Sequence, residues 1–212
     1  MEDVLNLYAQ PYDPQRPVVC FDEQPRQLLA DVRSPLPAAP GSPSRIDYEY
    51  RRGGTANLFL LFEPKAGWRH VEVSEHRTSG DFAQQMKALV DIHHPQAPRI
   101  AVVLDNLSTH SPAALYQTFP PDEAFRLMQR IEFHYTPKHG SWLNMAELEF
   151  SVLNRQCLDR RIPRPGEPAA RDRGVGAVPE CRVCHRPLAL HGRQGPRQTA
   201  SSLPNMNPVV QD

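Results

Sequence analysis

The sequence predicts an α/β fold, a mixed five-stranded sheet flanked by helices, and three observations carry that expectation. Two apolar runs, Val18-Val19-Cys20-Phe21 and RIAVVL (99–104), each stop at an acidic residue, as strands buried on both faces do. Two more runs, ANLFLLF (56–62) and WRHVEV (68–73), flank a short PKAG turn and read as an antiparallel hairpin. Amphipathic segments then alternate with the remaining strands, which supplies helices to cover the sheet.

Taken in order, the first strand follows Pro17 and ends at Asp22-Glu23. Residues 34–45 (SPLPAAPGSPSR) are a Pro/Ser-rich loop leading to the hairpin. Ser79 precedes a helix whose apolar face is Phe82, Met86, Leu89, Val90 and Ile92. After the fourth strand, Ser111 opens a short helix, and a second runs from Pro121 to about Arg130. IEFHY (131–135) is the fifth strand. A last helix is expected from Ser141 to Leu158, with Leu143, Ala146, Phe150, Leu153 and Leu158 turned inward.

Composition bounds the function. The 212 residues carry 24 Lys+Arg against 24 Asp+Glu, so a stand-alone nucleic-acid binder held by a broad basic surface is disfavoured. No apolar run reaches the roughly 18 residues of a spanning helix, and the acidic, polar N-terminus is not a secretory signal. Four scattered cysteines, Cys20, Cys157, Cys181 and Cys184, make no disulfide scaffold, so a cytoplasmic location is expected, with no membrane partner.

The chain changes character after Ile162. Residues 163–212 hold eight of the 23 prolines and seven arginines, but no Phe, Trp, Tyr, Ile or Lys. Such a stretch buries too little apolar surface to offset its ordering entropy. The expected organisation is one domain at 1–162 and a Pro/Arg/Gly-rich disordered tail at 163–212. Within the tail, Cys181-Arg182-Val183-Cys184-His185 has the spacing of a c-type haem attachment. It lacks a packed setting, and four regularly spaced zinc ligands are not evident even with His191, so neither haem nor zinc is expected.

Chemistry points to the acids. Asp22 and Asp105 stand where apolar strands run out, and in open α/β sheets sites form at the carboxyl ends of strands. Glu147, on the last helix, is the third candidate. Three carboxylates from separate elements repel one another unless a cation sits between them, and hard oxygen donors suit Mg²⁺ or Mn²⁺. Such clusters support two-metal phosphoryl transfer. The plain alternative is that Asp22 and Asp105 cap loops while Glu147 sits on a solvated helix face.

The segments VVCFDE (18–23), VVLDNLSTH (102–110) and HYTPKHGSWLNMAELEF (134–150), with RRGGTANLFLLFEP (51–64) between the first two, resemble the catalytic core of DDE transposases. The nearest group is the bacterial insertion-sequence branch of the mariner superfamily, over roughly residues 5–163. The resemblance implies a ribonuclease-H-like fold and a metal-binding catalytic triad of Asp22, Asp105 and Glu147. Glu149 rivals Glu147, but two residues on a helix turn about 200°, so both cannot face the same ions. The implied reaction is hydrolysis of a phosphodiester at the end of a DNA element, then attack of the freed 3′-hydroxyl on target DNA. No covalent protein–DNA intermediate is needed. Implied partners are DNA and either a second copy of the chain or an intact transposase.

Neighbouring residues are candidates for DNA contact: Asn106, His110, Lys138 and His139 near the acids, Trp142 by stacking, and Arg51 and Arg52 before Gly53-Gly54. Each has a structural alternative: loop capping for the first four, core packing for Trp142 (the favoured reading), and a solvated turn for the arginines. Two features depart from the family. The first acid arrives at residue 22, so no helix-turn-helix region precedes it here, and sequence-specific DNA binding has no visible source. The composition break after Ile162 fits an out-of-frame reading of GC-rich DNA. Two alternatives stand beside an active transposase domain: an inactive transposase remnant acting only by interaction, and a ribonuclease-H-like nuclease.

Overall fold

Val18-Val19-Cys20-Phe21 forms the start of the central strand, with all four side chains buried. In the computed structural model, which describes residues 1–164, that strand (β1, Val18–Asp31) is 14 residues long and runs well past the apolar run. It pairs antiparallel with β2 (Tyr50–Glu63) along this length, and parallel with β4 (Ile100–Leu104) only from Val18 to Cys20. Beyond Cys20 no described strand pairs with that edge of β1, although the Leu29 N–H donates to the Ile162 carbonyl at 2.9 Å. That explains why its continuation, Asp-Glu-Gln-Pro-Arg-Gln, is polar and why Pro25 is tolerated. Asp22 thus lies within a strand, at the point where its parallel neighbour stops, and not at the strand end that the sequence suggests.

The hairpin to β3 (Trp68–Ser74) is as expected, and β5 (Ile131–Tyr135) pairs parallel with β4. The sheet order β3-β2-β1-β4-β5, antiparallel on one side and parallel on the other, is the expected ribonuclease-H-like arrangement. Between Gln27 and Leu29 the β1–β2 register slips, with Gly53 and Gly54 opposite Leu28 and Gly54 at φ +100°. Arg51 and Arg52 are accordingly exposed strand residues opposite Ala30 and Leu29 beside a bulge, and not members of a solvated turn.

Two cores sandwich the sheet. On one face Phe21, Phe59 and Leu61 pack against α2 (Ser79–Ala88), α3 (Pro112–Thr118) and α4 (Pro121–Met128). Thr78 caps α2 through a capping box with Asp81. At Leu89 this helix widens into a π-turn to His93, and the His94 N–H reaches the Leu89 carbonyl at 2.9 Å. The wider turn changes the phase, so Leu89 and Val90 stay buried while Ile92, expected inside, is 71% exposed.

On the other face Val18, Cys20, Leu58, Leu60 and Val103 pack against α5 (Met145–Leu153). A further helix, α1 (Glu2–Ala9), also lands here: its Val4 and Leu7 are buried and the Tyr8 hydroxyl donates to the Leu143 carbonyl at 2.9 Å. Its three apolar anchors are too few to stand out in an otherwise polar segment. The final helical region is broken: Ser141–Leu143 is a 3₁₀ turn, Asn144 is extended, α5 follows, and a π-turn closes it at Asn154–Leu158. All five residues expected inward there are buried. No described helix is long and apolar enough to cross a membrane. The expectations for the tail beyond residue 164, including the Cys181–His185 motif, lie outside the described residues.

Candidate active site

Strand alternation decides which acids meet. Cys20 faces α5, so Asp22, two residues on along β1, projects toward that side of the sheet, while Asp105 directly follows the last residue of β4. Glu147 lies in the first turn of α5, on that side. An open cavity of about 240 Å³ is lined by Asp22, Glu23, Gln24, Glu147, Phe150, Ser151 and Asn154. Asp105 does not line it, yet its charge acts on Asp22. The Asp22 carboxyl is pushed up to about 6, chiefly by burial, with the charges of Asp105 and Glu147 adding to the effect. The Glu23 N–H, 2.8 Å from Asp22 Oδ1, and the nearby His110 oppose it. Chain elements far apart in sequence therefore concentrate negative charge at the open end of β4.

Asn144 sets the spacing between two of these acids. Its side-chain oxygen accepts from the Ala146 N–H at 3.2 Å, capping α5, while its Nδ2 donates to the Phe21 carbonyl at 2.8 Å. One buried side chain thus ties the helix start that carries Glu147 to the backbone beside Asp22. The sequence shows Asn144 only as a spacing marker. Its position before an apolar helix was the available cap signal, obscured by the helix reading that began at Ser141. Gln24 and Asn154, hydrogen-bonded at 3.1 Å, complete the wall of the cavity.

The rival acid goes elsewhere. Glu149 is buried and ion-paired with Arg69 of β3, which is buried too. Among the DNA-contact candidates, Asn106, Lys138 and His139 are exposed in the loops after β4 and β5, His139 at φ +66°. Trp142 is 64% exposed, which corrects its core reading: the helix begins after it, and within the 3₁₀ turn only Leu143 is turned in. His110 is completely buried, which removes it from direct phosphate contact. It packs against Phe21 and Phe82, and its Nδ1 lies 2.5 Å from Asp105 Oδ1. Burial pulls its imidazole down, but Asp105 and Glu23 outweigh that and carry it up to about 9. Arg51 and Arg52 lie on β2 beside residues 29 and 30 of β1, at the opposite end of that strand's polar extension from Asp22.

Among the described residues, no three His, Cys, Asp or Glu side chains converge closely enough to hold a metal ion as they stand. One oxygen of Asp105 is engaged by His110. The donor set nevertheless fits a hard divalent cation: it is all carboxylate, and Asp22 bears a desolvated charge that its neighbours raise in energy.

A family model described as DDE superfamily endonuclease matches residues 17–167. Among solved structures, the fold resembles the Mos1 strand transfer complex, with TM-score 0.50 and 17% identity over 76% of this chain and 46% of that one. It resembles a pre-cleavage Mos1 transpososome equally, with TM-score 0.50 and 16% identity over 76% of this chain and 48% of that one. The chain therefore spans slightly less than half the length of these Mos1 chains. No curated protein matches it.

Proposed function

Because this chain belongs to the DDE superfamily endonucleases, we propose that its residues 1–162 are the catalytic domain of a DNA transposase, with Asp22, Asp105 and Glu147 as the catalytic triad. The observation that carries the reading is the open cavity lined by Asp22 of β1 and Glu147 of α5, next to the end of β4 where Asp105 follows. The likeness in fold to Mos1 complexes named for strand transfer and for the pre-cleavage state supports DNA as substrate and partner.

The three carboxylates would hold Mg²⁺ or Mn²⁺, which when bound supply an activated attacking oxygen and charge stabilisation at the leaving one. The chain's own residues do the positioning. Asn144 holds Glu147 against the strand bearing Asp22. The exposed side chains of Asn106, Lys138 and His139 stand where phosphates could be bound, and Trp142 presents a ring for stacking on a base. Arg51 and Arg52, exposed on β2, are further candidates for backbone contact away from the acids. Pairing of two such chains on DNA belongs to the same reading.

The test is Mn²⁺-dependent nicking of supercoiled plasmid by the full chain, wild type beside Asp105→Asn. Nicking is expected from the wild type and lost, by at least about a hundredfold, in the variant. An Asp105→Asn protein that melts like wild type and still nicks would remove Asp105 from the site.

A further inference from the structure

His110 is an odd core residue. It is fully buried between Phe21 and Phe82, ring centroids 5.2 and 5.0 Å away, where an apolar side chain would pack without a desolvation cost. Its two nitrogens instead face two carboxylates. Nδ1 stands 2.5 Å from Asp105 Oδ1, and Nε2, buried and without a hydrogen bond among the described residues, stands 3.6 Å from Glu23 Oε2. The Glu23 side chain is itself only 5% exposed, and Arg77 approaches it at 3.5 Å.

The layers give this line its meaning. Glu23 follows Phe21 by two residues on β1, so it projects toward the α2–α3 side, opposite Asp22. His110 sits on that same side, at the end of the loop that starts with Asp105. Asp105, lying beyond the last residue of β4, has no ladder bond to fix it, and its side chain is hydrogen-bonded to His110. We propose, resting on the function above, that Glu23 and His110 are positioning residues: a carboxylate–imidazole–carboxylate line anchors Asp105 from behind the sheet and leaves its second oxygen for the metal. Partners of this kind orient metal-ligating side chains, and losing one typically weakens metal affinity about 10–100-fold.

The experiment uses Mn²⁺ alone as probe, titrated into the full chain and followed by the electron paramagnetic resonance of free Mn²⁺. It compares wild type, His110→Gln, Glu23→Gln, Asp105→Asn and the two doubles with Asp105→Asn; melting without metal is the control for folding. The expected result is Mn²⁺ binding at least about tenfold weaker in His110→Gln and Glu23→Gln, with no further loss when either is added to Asp105→Asn. The half-saturating Mn²⁺ for nicking should rise in step. Should His110→Gln fail to fold, Glu23→Gln decides alone, since it keeps the side-chain volume and the core rings. Wild-type affinity in the folded variants overturns the inference, as do losses that add to that of Asp105→Asn. If the wild type itself binds no Mn²⁺, the proposed metal site falls and takes this inference with it.

Discussion

Glu147 and Glu149 stand two positions apart on α5, and the difference in their surroundings sets their roles. Glu147 lines the cavity beside Asp22, whereas Glu149 turns to Arg69 and is buried with it. Removing one member of a buried pair strands the other charge in the core, which typically costs about 3–5 kcal/mol. Glu149→Gln should therefore lower the melting temperature clearly while the folded fraction still nicks DNA. Glu147→Gln should melt near wild type and lose nicking. Reversed outcomes would show that the helix presents Glu149 to the site. The sequence carries enough to say that only one of these two can face the ions, since the helical turn between them is fixed. Which partner awaits the other acid is not written nearby, because Arg69 lies 80 residues earlier in the chain.

At the scale of elements, boundaries written in local chemistry were readable and those set by pairing were not. The five strands and the helices near Ser79, Ser111 and Pro121 correspond to recognisable apolar runs, prolines and caps, whereas α2 is capped by Thr78 one residue earlier and the last α-helix starts at Met145, after Asn144, and not at Ser141. The Thr78 side chain accepts from the Asp81 N–H, and Asp81 returns a bond to the Thr78 N–H at 2.7 Å. Since the box is exposed, its loss should act on the helix alone: Thr78→Ala should cost about 1 kcal/mol in chemical denaturation without changing the denaturant slope. No loss at all would mean that packing of Phe82 and Met86 holds the helix start unaided. In contrast, β1 is longer than its apolar run because β2 pairs with its polar half. The π-turn at Leu89 similarly overrides the 3.6-residue period and expels Ile92.

For the whole molecule, a sheet with a core on each face buries a few acids that belong to no site. Glu63, at the end of β2, is 3% exposed, with His94 Nε2 3.9 Å away, and burial pushes its carboxyl up to about 7. The folded chain then holds this proton more tightly than the unfolded chain, where a glutamate titrates near its usual value of about 4.3. Stability from this group is therefore present in acid and is lost as pH rises from about 4.3 to 7. His94, held down mainly by burial, works oppositely as pH falls below the ordinary histidine range. Each tenfold change in proton affinity is worth about 1.4 kcal/mol. Stability measured from pH 5 to 8 should accordingly fall more for wild type than for Glu63→Gln, which keeps His94. Parallel curves would show that Glu63 ionises as in water.

What the sequence alone determined is most of the segments: which runs form strands, where the helices between Ser79 and Arg130 lie, and which three acids sit at the ends of apolar runs or on the last helix. Those features follow from periodicity and capping, which act over a few neighbouring residues. The tertiary structure alone decided where each segment's side chains point and whom they meet. It put Trp142 in solvent and His110 in the core behind Asp105, and tied Asn144 to the Phe21 carbonyl. These outcomes depend on strand register and on which layer covers which face. Both arise only when distant segments pair, so nothing within a few residues of His110 or Trp142 encodes them.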